Sequence, residues 1–416
     1  MSPIEYYESI VGLLYIYPLF FVIFYILSRV GKKYYGRYIN GLVSINISTA
    51  ILFTISIDIY FRIGTVTLYN FLFIIFVEII VYYIINFFYI KLILIARNID
   101  DKKFIISYKK NAYFIYAITL LEIIVQLLNV SWDGSSRIEY QTQMWYSPFR
   151  ILFTFITPVV YFSTYVFLKN KIYTIPIINV SILIIISIGS GSKSGFIITI
   201  FAVYFFYRDI FGSINISKLK IIAAIAPVIV IAIYNLAALG VDAKKMGQRI
   251  SDYAEATTML ISEADPTEIC VNLSVISKIH RGFGRLFGDE DSLTTNKLFG
   301  FALSDKYYGL TPDGSSSLTG PNARIGAYAL CNFDSYLVII LLLFYLFATK
   351  FVFFIISISK IFKPVYQIAV IIFAFHFLQN LELDYNTAMS DLTGFIIIYF
   401  LINFYKLLRI NRNLNI

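Results

Sequence analysis

The stretch TLYNFLFIIFVEIIVYYIINFFYI (67–90) carries a single carboxylate, Glu78, and no lysine or arginine across 24 residues. As an α-helix it is about 36 Å long, enough to cross the roughly 30 Å hydrocarbon core of a bilayer. A helix on the surface of a soluble protein needs a polar stripe, and this one is apolar on every side. Backbone N–H and C=O groups in lipid find no water, so such a segment satisfies them internally, as a helix.

Working outward, the same pattern recurs at about 9–28, 39–57, 112–130, 149–168, 173–189, 195–207, 219–239, 332–349, 365–379 and 392–405. The fold class read from this is an all-α polytopic membrane protein with about eleven transmembrane helices. Composition agrees: 59% of the 416 residues are hydrophobic, 14% are charged, and the mean hydropathy is +0.76. Soluble domains carry about 25% charged residues. Much of the tyrosine falls near block ends, where its ring and hydroxyl suit the membrane–water interface. The first block follows Glu5 and Glu8 rather than a basic stretch, with no small-residue cleavage site after it. It reads as a span and not as a cleaved signal peptide. The net charge of +9 comes without a P-loop, zinc-ligand spacing or basic tail, so nucleic acid is set aside as a partner.

Charge placement sets an orientation. Taken alternately, one set of connections holds Arg29, Lys32, Lys33, Arg37, Lys91, Arg97, Lys169, Lys171, Arg208 and further cations through Arg412, twenty-one in all. The opposite set, leaving out the long segment 240–331, holds four: Arg62, Arg137, Arg150 and Lys193. The positive-inside rule then places the N-terminus outside and the C-terminus in the cytoplasm. This divides the chain into helices one to eight (1–239), one large, mostly helical outer loop (240–331) and helices nine to eleven (332–416). Long loops translocate largely regardless of charge, so the nine cations of the outer loop do not conflict with it.

Helical pattern runs through the loop over Lys244–Ile261 and near Glu268–Ile279, before a turn-forming tail, TPDGSSSLTGPNARIG (Thr311–Gly326). It contains Arg249, His280, Arg281, Arg285 and Arg324 beside many aromatic residues, a content suited to phosphates and sugars. A passive cap is the plainer alternative. Both cysteines, Cys270 and Cys331, fall on the outer side. In an oxidising compartment a bridge between them would add about 4 kcal/mol in the chain-entropy model; two free thiols are the alternative. A second outward feature is the turn Gly189–Gly195, which sets Lys193 among free backbone N–H groups at a helix start. Anions are favoured there, although a snorkelling lysine in a tight turn reads the same way.

Polar residues also interrupt the apolar blocks. Thr119, Glu122, Gln126 and Asn129 lie at helical spacing, and His376 is followed by Gln379 and Asn380. Intramembrane ionisable groups are functional candidates, here for a polar cavity or for a proton-coupled transporter. Glu78 reads more simply as half of a buried interhelical pair.

The GSKSGF turn (Gly191–Phe196), the many spans and the large outer loop closing through TPDGSSSLTGPNARIGAYALCNFDSYL (Thr311–Leu337) together resemble the Wzy-type O-antigen and oligosaccharide repeat-unit polymerases. That family usually carries arginine where Lys193 stands and glycine where Asp334 and Ser335 stand. The resemblance implies a metal-independent membrane glycosyltransferase of lipopolysaccharide biosynthesis, without cofactor, in a bacterial inner membrane with its site facing the periplasm. It implies transfer of a growing glycan from undecaprenyl pyrophosphate onto the non-reducing sugar of a new lipid-linked repeat unit. On this reading the partners are that lipid-linked oligosaccharide, the surrounding membrane lipids and a chain-length regulator. The pyrophosphate would meet Lys193, Arg249, Arg281 and Arg324, with Arg285 and Arg150 behind them; His280 and Glu255 are the candidate bases. The alternatives are an O-antigen ligase of similar architecture and a flippase or transporter of lipid-linked oligosaccharide.

Overall fold

The computed structural model describes residues 16–62, 67–128, 146–179, 181–182, 204–213, 260–261, 324–332, 338–383 and 385–414. Among the described residues the regular structure is helical, without strands. The labelled helices are α1 (Ile16–Tyr35), α2 (Val43–Arg62), α3 (Leu68–Arg97), α4 (Asp101–Leu128), α5 (Tyr146–Lys169), α6 (Ile325–Asn332), α7 (Val338–Ile358), α8 (Pro364–Leu383) and α9 (Tyr385–Leu414). Residues 174–179 and 204–211 are helical as well. Among the described residues four stretches, Val43–Phe61, Leu68–Arg97, Val338–Ile361 and Pro364–Glu382, are long and apolar enough to cross a bilayer. The molecule is an all-α membrane protein.

α8 is the central element. Val365 and every residue from Ile368 to Phe375 are buried, and the helix packs on α2, α3, α4, α5, α6, α7 and α9. Proline at its first position costs no hydrogen bond and pre-sets the helical φ. α1, in contrast, turns Tyr17, Phe21, Val22, Tyr25 and Ile26 outward, the pattern of a helix facing lipid.

α2 and α3 run antiparallel in a register fixed by polar contacts. The Tyr89 hydroxyl lies 3.1 Å from the Gly41 N–H, which donates to it, and Tyr82 donates to Asn46 Oδ1 at 2.9 Å. Gly41 allows that approach: a Cβ there would sit 2.3 Å from the Tyr89 oxygen. At the same end Arg37, Arg97 and Arg208 converge, and Lys169 pairs with Asp101 at 2.7 Å. These cations were all assigned to one side of the membrane by the charge count.

Several boundaries differ from those expected. α4 begins at Asp101 and not near 112, because Asp100 Oδ1 caps the N–H groups of Lys102 (2.8 Å) and Lys103 (3.3 Å). Its first turns carry Lys102, Lys103, Lys109 and Lys110, which a hydropathy reading excludes although the helix continues through them. α3 and α9 extend past their apolar blocks in the same way, α9 running over Tyr385–Leu414. The block expected at 332–349 is divided: Asn332 ends the short helix α6, and the long apolar helix α7 starts at Val338. Arg324 to Leu330, read as the end of an external loop, are buried in the helical core.

Candidate functional site

Inside the bundle, three charged side chains from three separate segments meet. α3 supplies Glu78, α8 supplies Glu382 one residue before its end, and Arg324 stands immediately before α6. Arg324 Nη2 donates to Glu78 Oε2 at 3.0 Å and to Glu382 Oε1 at 2.7 Å. Thr49 of α2 donates to the same Glu382 oxygen and lies 3.5 Å from Arg324 Nη2. Relative exposure is 1% for Arg324 and 0% for Glu78, Glu382 and Thr49. Out of water, an ion pair requires close geometry to offset the cost of desolvating its charges.

α6 is shaped to the same contact. The Gly326 N–H, in its first turn, donates to Glu78 Oε1 at 2.9 Å. A Cβ at Gly326 would lie 2.9 Å from that oxygen and 3.0 Å from Ile74 Cγ2, so only glycine lets the backbone come this near. The carboxylate therefore sits at a helix start, where free donors and the helix dipole both favour negative charge. The cluster leaves three buried polar atoms without hydrogen-bond partners: Arg324 Nε, Arg324 Nη1 and Glu382 Oε2. It holds two carboxylates to one guanidinium.

Two further polar groupings surround it. On another face of α8, His376 Nδ1 lies 3.1 Å from Asp391 Oδ2 of α9, and Asn380 donates to that oxygen at 2.8 Å. Toward the basic end, Asp209 Oδ2 accepts from the Gly41 N–H (3.0 Å) and the Tyr89 hydroxyl (2.8 Å). Asp209 Oδ1 faces Arg37 at 3.8 Å and Arg208 at 3.9 Å, while Arg97 bonds the Asp209 carbonyl at 2.7 Å. Burial pushes the Asp209 carboxyl above the ordinary carboxylate range, outweighing the Gly41 N–H, the Tyr89 hydroxyl and the two arginines that pull it down.

Of the cations expected to bind pyrophosphate, Arg324 is described with its side chain, and its charge is already met by Glu78 and Glu382. Arg150 lies in α5; Lys193, Arg249, Arg281 and Arg285 lie outside the described residues, as do the candidate bases His280 and Glu255. Glu122 is buried in α4, near Tyr161 of α5, and Gln126 is in the same helix. Cys331 is disulfide-bonded; Cys270, the other cysteine of the chain, lies outside the described residues. Asn70 donates to the Leu260 carbonyl at 3.4 Å, and Leu260 and Ile261 are fully buried, so segment 240–331 touches the core at a second place.

Sequence reasoning passed over Glu382, Asp209 and Asp391. Glu382 lies beyond an apolar block judged to end at 379, and Asp209 beyond one judged to end at 207. The one available signal was the run Gln379, Asn380, Glu382, in which polar residues crowd a helix end. Among the described residues no group of three or more His, Cys, Asp and Glu side chains is placed to hold a metal ion. No protein-family model, curated protein or solved structure matches the chain.

Proposed function

We propose that the protein is a polymerase of lipid-linked oligosaccharide repeat units, acting at the outer face of a bacterial inner membrane with about eleven spans. The observation that carries this reading is the burial in the bundle of Leu260, Ile261 and Arg324–Leu330, the described residues of segment 240–331 together with Cys331. A passive cap has no need of an arginine inserted between two buried carboxylates, whereas an enzyme must hold its loop in register with a substrate anchored in the bilayer. The GSKSGF stretch, which lies outside the described residues, reads from the sequence as a turn that would add a cation on the same side by the charge count.

In the reaction, a hydroxyl oxygen of the acceptor sugar attacks the anomeric carbon of the donor glycan. The bond from that carbon to the phosphate oxygen breaks, undecaprenyl pyrophosphate leaves with the electron pair, and the hydroxyl proton passes to a base. His280 and Glu255 remain the candidates for that base. Lys193, Arg249, Arg281, Arg285 and Arg150 are the cations proposed to stabilise the leaving group, where most charge develops. Arg324 changes role: with both carboxylates on its Nη2, it anchors the loop instead of binding phosphate.

Deletion of the gene followed by profiling of the surface polysaccharide tests the proposal. Loss of the long-chain ladder with one repeat unit retained is the expected result. Loss of all repeat units would point to ligation or flipping. The second of these has an observation of its own in the ionisable groups Glu78, Glu382, His376 and Asp391 within the helices. Lys193→Ala is expected to abolish long chains while the protein still inserts, and unchanged long chains would remove the turn from the mechanism.

A further inference from the structure

The Glu78–Arg324–Glu382 cluster is one positive charge short of neutrality, in a place closed to solvent. Two carboxylates and one guanidinium are present, all at most 1% exposed, and both carboxylates draw on the same nitrogen, Nη2. An unbalanced charge in such surroundings is strongly disfavoured. A second observation marks where the balance can be made. Glu382 Oε1 takes both hydrogen bonds offered to this side chain, from Thr49 and Arg324, while the equally buried Oε2 takes none.

The groups that face Glu382 are few. α3 presents Glu78, with Tyr82 about one turn further along; the segment leading into α6 presents Arg324, and α2 presents Thr49. α9 presents Asp391 to His376 and not to Glu382. No group of α4, α5 or α7 bonds to Glu382.

We propose that this cluster is a binding site for one proton, held on Glu382 Oε2 inside the bundle. The site joins α2, α3, α8 and the end of the long hydrophilic segment, so its occupancy is coupled to how firmly Arg324 holds that segment in the core. The proposal does not rest on the glycosyl-transfer reading and survives if that reading fails.

The test uses the full-length protein in lipid nanodiscs. Infrared difference spectra between wild type and Glu382→Gln report a protonated carboxyl through its C=O stretching band. A protonated-carboxyl band in the wild type that is lost in Glu382→Gln is the expected result. Should Glu382→Gln fail to fold, Thr49→Ala keeps both carboxyls and removes one hydrogen bond from Glu382; it must then shift the band. The absence of a protonated-carboxyl band that changes in these variants overturns the proposal.

Discussion

The two polar clusters along α3 are opposite in composition. At Tyr89, one carboxylate, Asp209, is surrounded by Arg37, Arg97 and Arg208; at Glu78, one guanidinium lies between two carboxylates. Eleven residues of helix separate them, about 16 Å. The Asp209 cluster has surplus positive charge, but Arg37 is 39% exposed and Arg208 18%, so water shares the load. The Arg324 cluster has surplus negative charge with no exposure to share it. The same chemistry is therefore cheap to disturb at one position and costly at the other.

Substitutions at the two clusters put that contrast to the test. The largest effect is expected for Arg324→Ala, which leaves two buried carboxylates unpaired. A loss of about 3–5 kcal/mol is expected for removing one partner of a buried pair, read as a collapse of monodisperse protein or of melting temperature in detergent. Gly326→Ala comes next, because its Cβ must push Glu78 and Ile74 aside. Overpacking of this kind costs about 1–3 kcal/mol, and a melting temperature equal to wild type would show that the helix start yields freely.

Asp209→Ala strands the Gly41 N–H and the Tyr89 hydroxyl, with an expected loss of about 1–3 kcal/mol for buried groups left unpaired. Asp209→Asn is the sharper probe, since it keeps an acceptor and removes titration. With its pKa raised in the folded state, Asp209 contributes stability that is complete in acid and is lost as pH rises through the folded value. Stability of the wild type should thus decline relative to Asp209→Asn as pH rises from below the ordinary carboxylate range, and parallel profiles would refute the shift. The smallest effect belongs to Arg37→Ala, an exposed partner worth at most about 1 kcal/mol and weakened by salt.

Much of the fold could be read from residues 67–90 alone, because an apolar helix of that length has one environment open to it. The charge count grouped Arg37, Arg97 and Arg208 before the structure drew them together around Asp209. Helix ends were less legible. Asp101–Lys110 are helical through capping by Asp100 and ordinary backbone bonding, neither of which a hydropathy window registers. The site was half legible. Glu78 was read as part of a buried pair and Arg324 as a significant cation, but in separate roles. Their meeting depends on Arg324 standing in the helical core, which the turn-forming composition of Thr311–Gly326 does not suggest. Gly326 was counted as a turn residue when its lack of a side chain is what admits Glu78.

A melting comparison of two variants tests the charge pairing of Arg324 inside the bundle. One carries Arg324→Met alone; the other adds Glu78→Gln and Glu382→Gln. Without ions to strand, the triple variant is expected to recover most of the stability lost by the single one, since a buried ion cluster replaced whole is often neutral in effect. A triple variant at least as unstable as Arg324→Met would contradict the pairing, and with it the anchoring of the long segment through Arg324.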